Sequence, residues 1–408
     1  MRILFLAEGA TLAHFARPVA LADSLVPYGE EYDIHLYAPA RFACHLSRKT
    51  YHTGVLKTAP EEDFLKNIAQ GKPMFSADVL RSYVDEDCRL IRTLRPDIVI
   101  GDMRLSLPIS ARLERVPFAV IMNAYWSPYA KPRSIIPELP LTRIIPPRLL
   151  GPLYRSIEPV AFAIHVAQMN RLRKEFGIAS LPLDLRKMYT DGDYVLYPDV
   201  PEFLPTRGAP STHCYVGTCS WAPDTVQPEW WERMLRDPKP KVFISLGSSG
   251  PLTVLPQLME VVARLPVSIV LATSGRFAAP VDVNIYACDL LPFTEMARHS
   301  ALVVTQGGSG AVYSALTAGT PVLAIPSNAD QHLSTAVLEE NGAGLGVRAE
   351  EASSKHLRSA LQELFSNGSY SAVAKRWSAI FRQDQTANRF REFLGGVRKN
   401  PSSLRSGG

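Results

Sequence analysis

The 408-residue sequence holds little cysteine, and what it holds has no pattern. Cys44, Cys88, Cys214, Cys219 and Cys288 are odd in number and scattered. Only Cys214 and Cys219 are near neighbours, and no Cys or His pair follows them at zinc-ligand spacing. Reduced thiols are therefore expected, not a disulfide framework or a zinc site. Long hydrophobic runs are missing too. The opening MRILFLAEGA has an apolar run of about five residues before Glu8, short of the roughly 7–15 of a signal-peptide core. Nothing approaches the ~18 uninterrupted apolar residues of a membrane span. The expectation is a soluble, cytoplasmic protein, in which the Asn367-Gly368-Ser369 sequon is incidental. An excess of one charge is also lacking. Lys and Arg number 44 against 39 Asp and Glu, a net +5, with no compact basic run interleaved with aromatics. That argues against nucleic acid as a partner, while leaving room for an anionic ligand such as a nucleotide diphosphate. No repeat with a period of 20–50 residues is visible.

What is present is size and alternation. The length exceeds what one core usually serves, so two domains are expected. Short apolar runs bounded by turn residues alternate with amphipathic stretches, the pattern of parallel-sheet α/β units. Strands are expected at 3–7, 33–37, 98–101, 118–122 and 193–197, with helices at 15–25, 76–94 and 160–176. After a turn-rich passage at 198–224, a second series opens. Its strands are expected at 241–246, 268–272, 302–305 and 321–325, and its helices at 254–264, 311–318, 333–341, 355–365 and 371–394. The fold class read from this is α/β, with two Rossmann-like doubly wound domains facing across a cleft. The domains are drawn at 1–218 and 219–378. A C-terminal helix at 379–396 returns to the first domain, and a flexible tail covers 397–408.

The most informative stretch is LVVTQGGSGAVYSALTAGTPVLAIPSNADQHL, residues 302–333. It reads as a buried strand, a Gly307-Gly308 turn and a helix whose first amides are free. Glycine leaves the backbone unobstructed, and free amides with a positive dipole end make a ready diphosphate site. Ala318-Gly319-Thr320-Pro321 follows, then Pro326, then Asp330-Gln331. In order and spacing this resembles the signature of family-1, UDP-glycosyltransferase-like enzymes of the GT-B fold, especially bacterial ones.

The resemblance implies a donor site for a nucleotide diphosphate sugar. Gly307, Gly308, Ser309 and Gly310 would meet the diphosphate. Asp330 and Gln331 would bond the sugar hydroxyls; read blandly, the same pair starts a helix. The family's His before the glycines is Gln306 here, which can donate to a phosphate oxygen without being cationic. The family's acid that grips the ribose falls near Ser314, so both UDP and dTDP remain open as carriers. Gly247, Ser248 and Ser249 in FISLGSSG resemble the family's glycine-serine loop. Leu290 and Leu291 in CDLLPF fall where the family holds the base.

Near the start, ILFLAEGATLAHFARPVALADSL resembles the family's first strand, loop and G-H-x-x-P helix. His14 stands at the position of the catalytic base, and Asp102 in PDIVIGDMRLSLP at that of its supporting carboxylate. An imidazole near working pH removes a hydroxyl proton well, and a carboxylate fixes its tautomer. Asn123, Tyr125 and Trp126 are expected at the acceptor pocket, the two aromatics reading equally as core anchors. The stretch 148–174 reads first as a buried helix with a solvated basic end, and second as a membrane-surface element.

Asp191-Gly192-Asp193 has metal-binding D-x-D spacing but reads as a turn, and no metal is expected. Neither is a cofactor beyond the nucleotide sugar as co-substrate. The function expected is metal-independent, inverting transfer of a hexose to a hydroxyl of a largely apolar small-molecule or lipid-like acceptor. The alternatives are a GT-B nucleotide-sugar epimerase and a non-catalytic partner protein that binds sugar nucleotides.

Overall fold

The computed structural model describes residues 1–399 except 139–141, 143, 146, 224, 280, 281, 283 and 384. The chain divides into two compact units. Unit 1 comprises Met1–Ser134, Gly151–Trp221 and Gln385–Gly408; unit 2 comprises Ile135–Leu150 and Ala222–Asp384.

Unit 1 is built on β1 (Arg2–Ala7), β2 (Asp33–Ala38), β3 (His52–Val55), β4 (Ile98–Asp102), β5 (Phe118–Ile121), β6 (Tyr194–Tyr197) and β7 (His213–Tyr215). All neighbours pair in parallel, in the order β3-β2-β1-β4-β5-β6-β7. The central strands are continuous apolar runs because a parallel sheet is covered on both faces. Ile3, Phe5 and Ala7 enter one core cluster with Phe15, Val19 and Ala22 of the Leu12–Leu25 helix. Phe390, Phe393, Leu394 and Val397 of the Thr386–Lys399 helix complete that cluster. Their spacing makes one apolar stripe on a helix, which binds the C-terminal helix to unit 1.

Unit 2 repeats the plan with β8 (Lys241–Ser245), β9 (Ser268–Ala272), β10 (Ile285–Cys288), β11 (Leu302–Thr305), β12 (Val322–Ala324) and β13 (Gly344–Gly346). These also pair in parallel, in the order β10-β9-β8-β11-β12-β13. Val242, Ile244, Ile269, Leu271, Val304 and Leu323 pack against Leu258, Val262, Leu357 and Leu361 from the flanking helices.

Each unit is thus a Rossmann-like, doubly wound domain. In each the strand order reverses beside the first strand, between β1 and β4 and again between β8 and β11. Doubly wound sheets bind ligands at the carboxyl ends of the strands where the order reverses. Those ends carry the 8–14 segment, Asp102, the 247–249 loop and the 306–308 turn.

Three expectations are corrected. The helix expected at 371–394 is two, Ser369–Phe381 and Thr386–Lys399. Gly395–Lys399, read on glycine and charge as the approach to and start of the tail, continue the second of them, because Val397 is buried in the core of unit 1. Residues 400–408 lie outside those described. The helix expected from 160 runs over Pro147–Glu175 with Pro152 and Pro159 inside it. Its second half buries Val166, Met169 and Leu172, whereas Leu153, Ile157, Val160 and Ile164 are exposed. No helix among the described residues is long and apolar enough to cross a membrane.

Candidate functional site

In unit 1, β1 and β4 lie side by side with Ala7 opposite Asp102. The chain leaving β1 turns through Glu8–Thr11 into the Leu12–Leu25 helix. His14 therefore sits in the first turn of that helix. Its Nδ1 lies 2.8 Å from Asp102 Oδ1. Asp102, the last residue of β4, is fully buried, while the His14 side chain keeps 16% of its surface exposed. A buried carboxylate that accepts from Nδ1–H leaves Nε2 with its lone pair, the tautomer a general base needs.

Asp102 has a second partner that sequence reasoning missed. Arg17, one turn beyond His14, donates from Nε to Oδ2 at 2.7 Å and from Nη2 to Oδ1 at 2.8 Å. This two-pronged pair is the strong form of carboxylate recognition. Arg17 Nη1 reaches Asn123 Oδ1 at 2.6 Å. Asn123 in turn donates to buried Asp199 at 2.8 Å, and the same carboxylate accepts the Ala124 amide at 2.6 Å. Of the three acceptor-pocket candidates, Asn123 joins this network. Tyr125 is buried, and the Trp126 ring meets Tyr189 edge-on at 5.2 Å.

A second charge cluster also escaped notice. Glu8 Oε1 accepts the Gly9 amide, and Oε2 pairs with Arg104. Arg104 is fully buried, pairs also with Glu86 and Asp87, and lies over the Tyr83 ring. Burial pushes the Glu8 carboxyl above its ordinary range against the pull of Arg104. The available signal was an acid and a base at the ends of two apolar strands, β1 and β4.

In unit 2, β8 leads into Gly247 with φ +58° and β11 into Gly307 with φ +83°. A Cβ on Gly307 would stand 2.4 Å from Thr335 Oγ1, so glycine is required there on both counts. Gly308 caps the Ser309–Ala318 helix, whose first amides, at Ser309 and Gly310, have no partner within the helix. Gln306 is anchored by Thr305 Oγ1, which donates to Oε1 at 2.6 Å. Its Nε2 lies against Gly247, where a Cβ would meet it at 2.6 Å.

Asn328 caps the Ala329–Glu340 helix by accepting the Gln331 amide, and Asp330 lies in its first turn. Gln331 is buried. Its Oε1 accepts from the Ser327 amide and hydroxyl, and its Nε2 reaches Ser249 Oγ at 3.3 Å. The side chain thereby ties the 247–249 loop to the 327–331 turn. Arg276 clamps the same loop by donating to the carbonyls of Gly247 and Gly250 at 2.9 Å each. Leu290 is exposed and Leu291 buried. Gly247, Ser249, Gln306, Gly307 and Gln331 come together.

The D-x-D spacing is consumed structurally. Asp191 pairs with Arg112 and Arg173, and Asp193 accepts the Phe118 amide.

Residues 252–387 match the family model described as the C-terminal domain of erythromycin biosynthesis protein CIII-like proteins. A PGL/p-HBAD biosynthesis glycosyltransferase from Mycobacterium tuberculosis is 40% identical over 384 residues, covering 94% of this chain and 89% of its own. A PGL/p-HBAD biosynthesis rhamnosyltransferase from Mycobacterium bovis is 39% identical over 385 residues, covering 94% and 85%. Among solved structures, spinosyn rhamnosyltransferase SpnG complexed with thymidine diphosphate matches with a TM-score of 0.70, over 97% of this chain and 100% of that one, at 17% identity.

Proposed function

The chain belongs to the family-1-like glycosyltransferases of the GT-B fold, and from that premise we propose that it is an inverting, metal-independent hexosyltransferase using a dTDP-linked deoxyhexose. In this reading His14 Nε2 takes the proton of an acceptor hydroxyl as its oxygen attacks the anomeric carbon. The bond from that carbon to the diphosphate breaks, and the leaving group, the nucleoside diphosphate dTDP, departs with the bonding pair. The acceptor is a largely apolar, lipid-like molecule.

The observation that carries the reading is the His14–Asp102 contact at the strand-order reversal of unit 1. A scaffold has no use for a buried carboxylate aligned on a ring nitrogen of a partly exposed histidine. On the donor side, the Gly307–Gly310 segment supplies main-chain donors for the diphosphate, and Gln306 supplies a neutral one. A thymidine carrier is supported by Ser314, which stands where the family carries an acid for the ribose hydroxyls. It is also supported by the rhamnosyltransferases among the similar proteins, one of them complexed with thymidine diphosphate. Asp330 is assigned to the sugar hydroxyls, with Gln331 holding the loop beside it.

The test uses dTDP-rhamnose and UDP-glucose as probes. Acceptor-free hydrolysis of dTDP-rhamnose should be measurable and should fall by about 10²–10⁴-fold in His14→Ala, the range for losing a general base. Thermal shift should be larger with dTDP than with UDP. Unchanged hydrolysis in His14→Ala removes His14 from the mechanism. Binding of dTDP with no turnover in the parent protein would favour the non-catalytic alternative.

A further inference from the structure

We infer that Arg17 is a positioning residue that orients His14 and offsets the charge of the carboxylate that supports it. This deepens the assignment of His14 as base and rests on it.

The number of bonds each atom can make decides the arrangement. His14 Nδ1 lies 2.8 Å from both Asp102 Oδ1 and Arg17 Nη2. A guanidinium nitrogen has no lone pair to offer and carries only donors. Were Arg17 to donate to Nδ1, the imidazole proton would sit on Nε2, and the base would face the acceptor with no lone pair. Were Nδ1 to donate to Asp102, both Nδ1–H and Nη2–H converge on Oδ1, and the close nitrogen–nitrogen approach follows from the shared acceptor. Nη2 already has Oδ1 at 2.8 Å, so the second arrangement satisfies every group.

That arrangement has an electrostatic consequence. A carboxylate alone beside an imidazole favours the imidazolium. Here a guanidinium neutralises the carboxylate through both of its oxygens, and it adds positive charge beside the ring. Two further charges stand nearby: Glu8, whose field reaches His14 and whose own charge is opposed by Arg104, and Asp199, linked to Arg17 through Asn123. Deleting the guanidinium charge would therefore favour the imidazolium. The same guanidinium ties the ring to Asn123, so the base and the acceptor-side segment 123–126 are fixed by one side chain.

Arg17→Gln keeps hydrogen-bond donors and removes the charge, whereas Arg17→Lys keeps the charge and removes the planar fork. The pH dependence of dTDP-rhamnose hydrolysis and the NMR titration of the His14 ring are followed in both variants and the parent. In Arg17→Gln the acid limb of the rate profile and the ring titration should both move up by about one pH unit. Turnover at pH 6 should fall about tenfold, with the KM for dTDP-rhamnose unchanged. In Arg17→Lys the acid limb should stay in place, while kcat falls at every pH through loss of orientation.

Superimposable ring titrations in parent and Arg17→Gln overturn the inference even where His14→Ala abolishes turnover. Should Arg17→Gln fail to fold, an acid limb displaced upward in Arg17→Lys overturns it instead. Conversely, a ring titration that moves as expected while His14→Ala retains full hydrolysis would leave the Arg17 coupling standing and sink only the assignment of the base.

Discussion

The two units reach the same strand order and then build their candidate sites from opposite materials. In unit 1 the site is a chain of ionisable side chains, His14, Asp102 and Arg17, continued by Asn123 to Asp199. In unit 2 it is main chain and neutral amide: the Gly247 and Gly307 turns, the helix-start amides after Gly308, Gln306 and Gln331. The difference fits the proposed tasks. Moving a proton requires a group whose charge can change and neighbours whose charge cannot. Gripping a diphosphate requires many donors at short range, and backbone amides provide them without placing a buried cation. The first site should therefore fail when a charge is deleted, and the second when volume is added.

The largest test of that contrast is Asp102→Ala. It leaves the Arg17 guanidinium, whose side chain is 10% exposed, without its carboxylate. Breaking a buried pair from one side typically costs about 3–5 kcal/mol. Urea unfolding should show a loss of that order, together with a fall in hydrolysis at least as deep as in His14→Ala. A loss under about 1 kcal/mol would mean that the charges of unit 1 are solvated, and the contrast would dissolve.

This asymmetry also explains what the sequence made legible. The donor motif of unit 2 is local: turn, helix and Asp330-Gln331 lie within some thirty residues, and glycine spacing announces them. The proposed base, His14, was legible only through its resemblance to a family. Arg17 was not, because it stands among apolar helix residues and its partners are 85 and 106 positions away. Glu8 and Arg104, 96 positions apart, were missed for the same reason. The strands at 3–7, 98–101, 241–246 and 302–305 were legible as apolar runs covered on both faces. The edge strand β3, HTGV with three of its four residues exposed, carries no such run, and β13 is three residues containing two glycines. Their pairing is decided by neighbours, not by their own pattern.

A smaller effect is expected from adding one methyl group to unit 2. Gly307→Ala forces a left-handed backbone on alanine, at about 1–2 kcal/mol. It also drives the new Cβ against the buried Thr335 hydroxyl. A net loss of about 2 kcal/mol is expected, with dTDP affinity lowered at least about tenfold, one factor of RT ln 10. Gly310→Ala is the control. Its Cβ would meet nothing within 4 Å, so helix stability should hold or rise by up to about 1 kcal/mol. Equal losses in the two variants would show that volume at the turn is not what unit 2 is sensitive to.

The smallest effect is one of pH, and it reverses the roles by looking for a charge in unit 2. His332 follows Asp330-Gln331 and is buried, and burial, with Arg348 adding to it, pushes the ring down to about 3 from an ordinary 6.5. The unfolded chain therefore takes up a proton below about pH 6.5 that the folded unit refuses. Stability from this group is complete above that value and is lost progressively as pH falls toward 3. Unit 1 contains shifts of both signs: His213 is lowered to about 4 by burial, whereas burial raises Glu8 and Asp87. A raised carboxyl gives the opposite slope, since the folded state then binds the extra proton, and the two kinds offset each other. His332→Gln should accordingly flatten the fall in unfolding free energy between pH 6.5 and 4.5 by about 1 kcal/mol per pH unit, whatever it does to stability at pH 7. Parallel slopes in parent and variant would place the acid sensitivity elsewhere, and unit 2 would be left with no titrating group beside its donor loop.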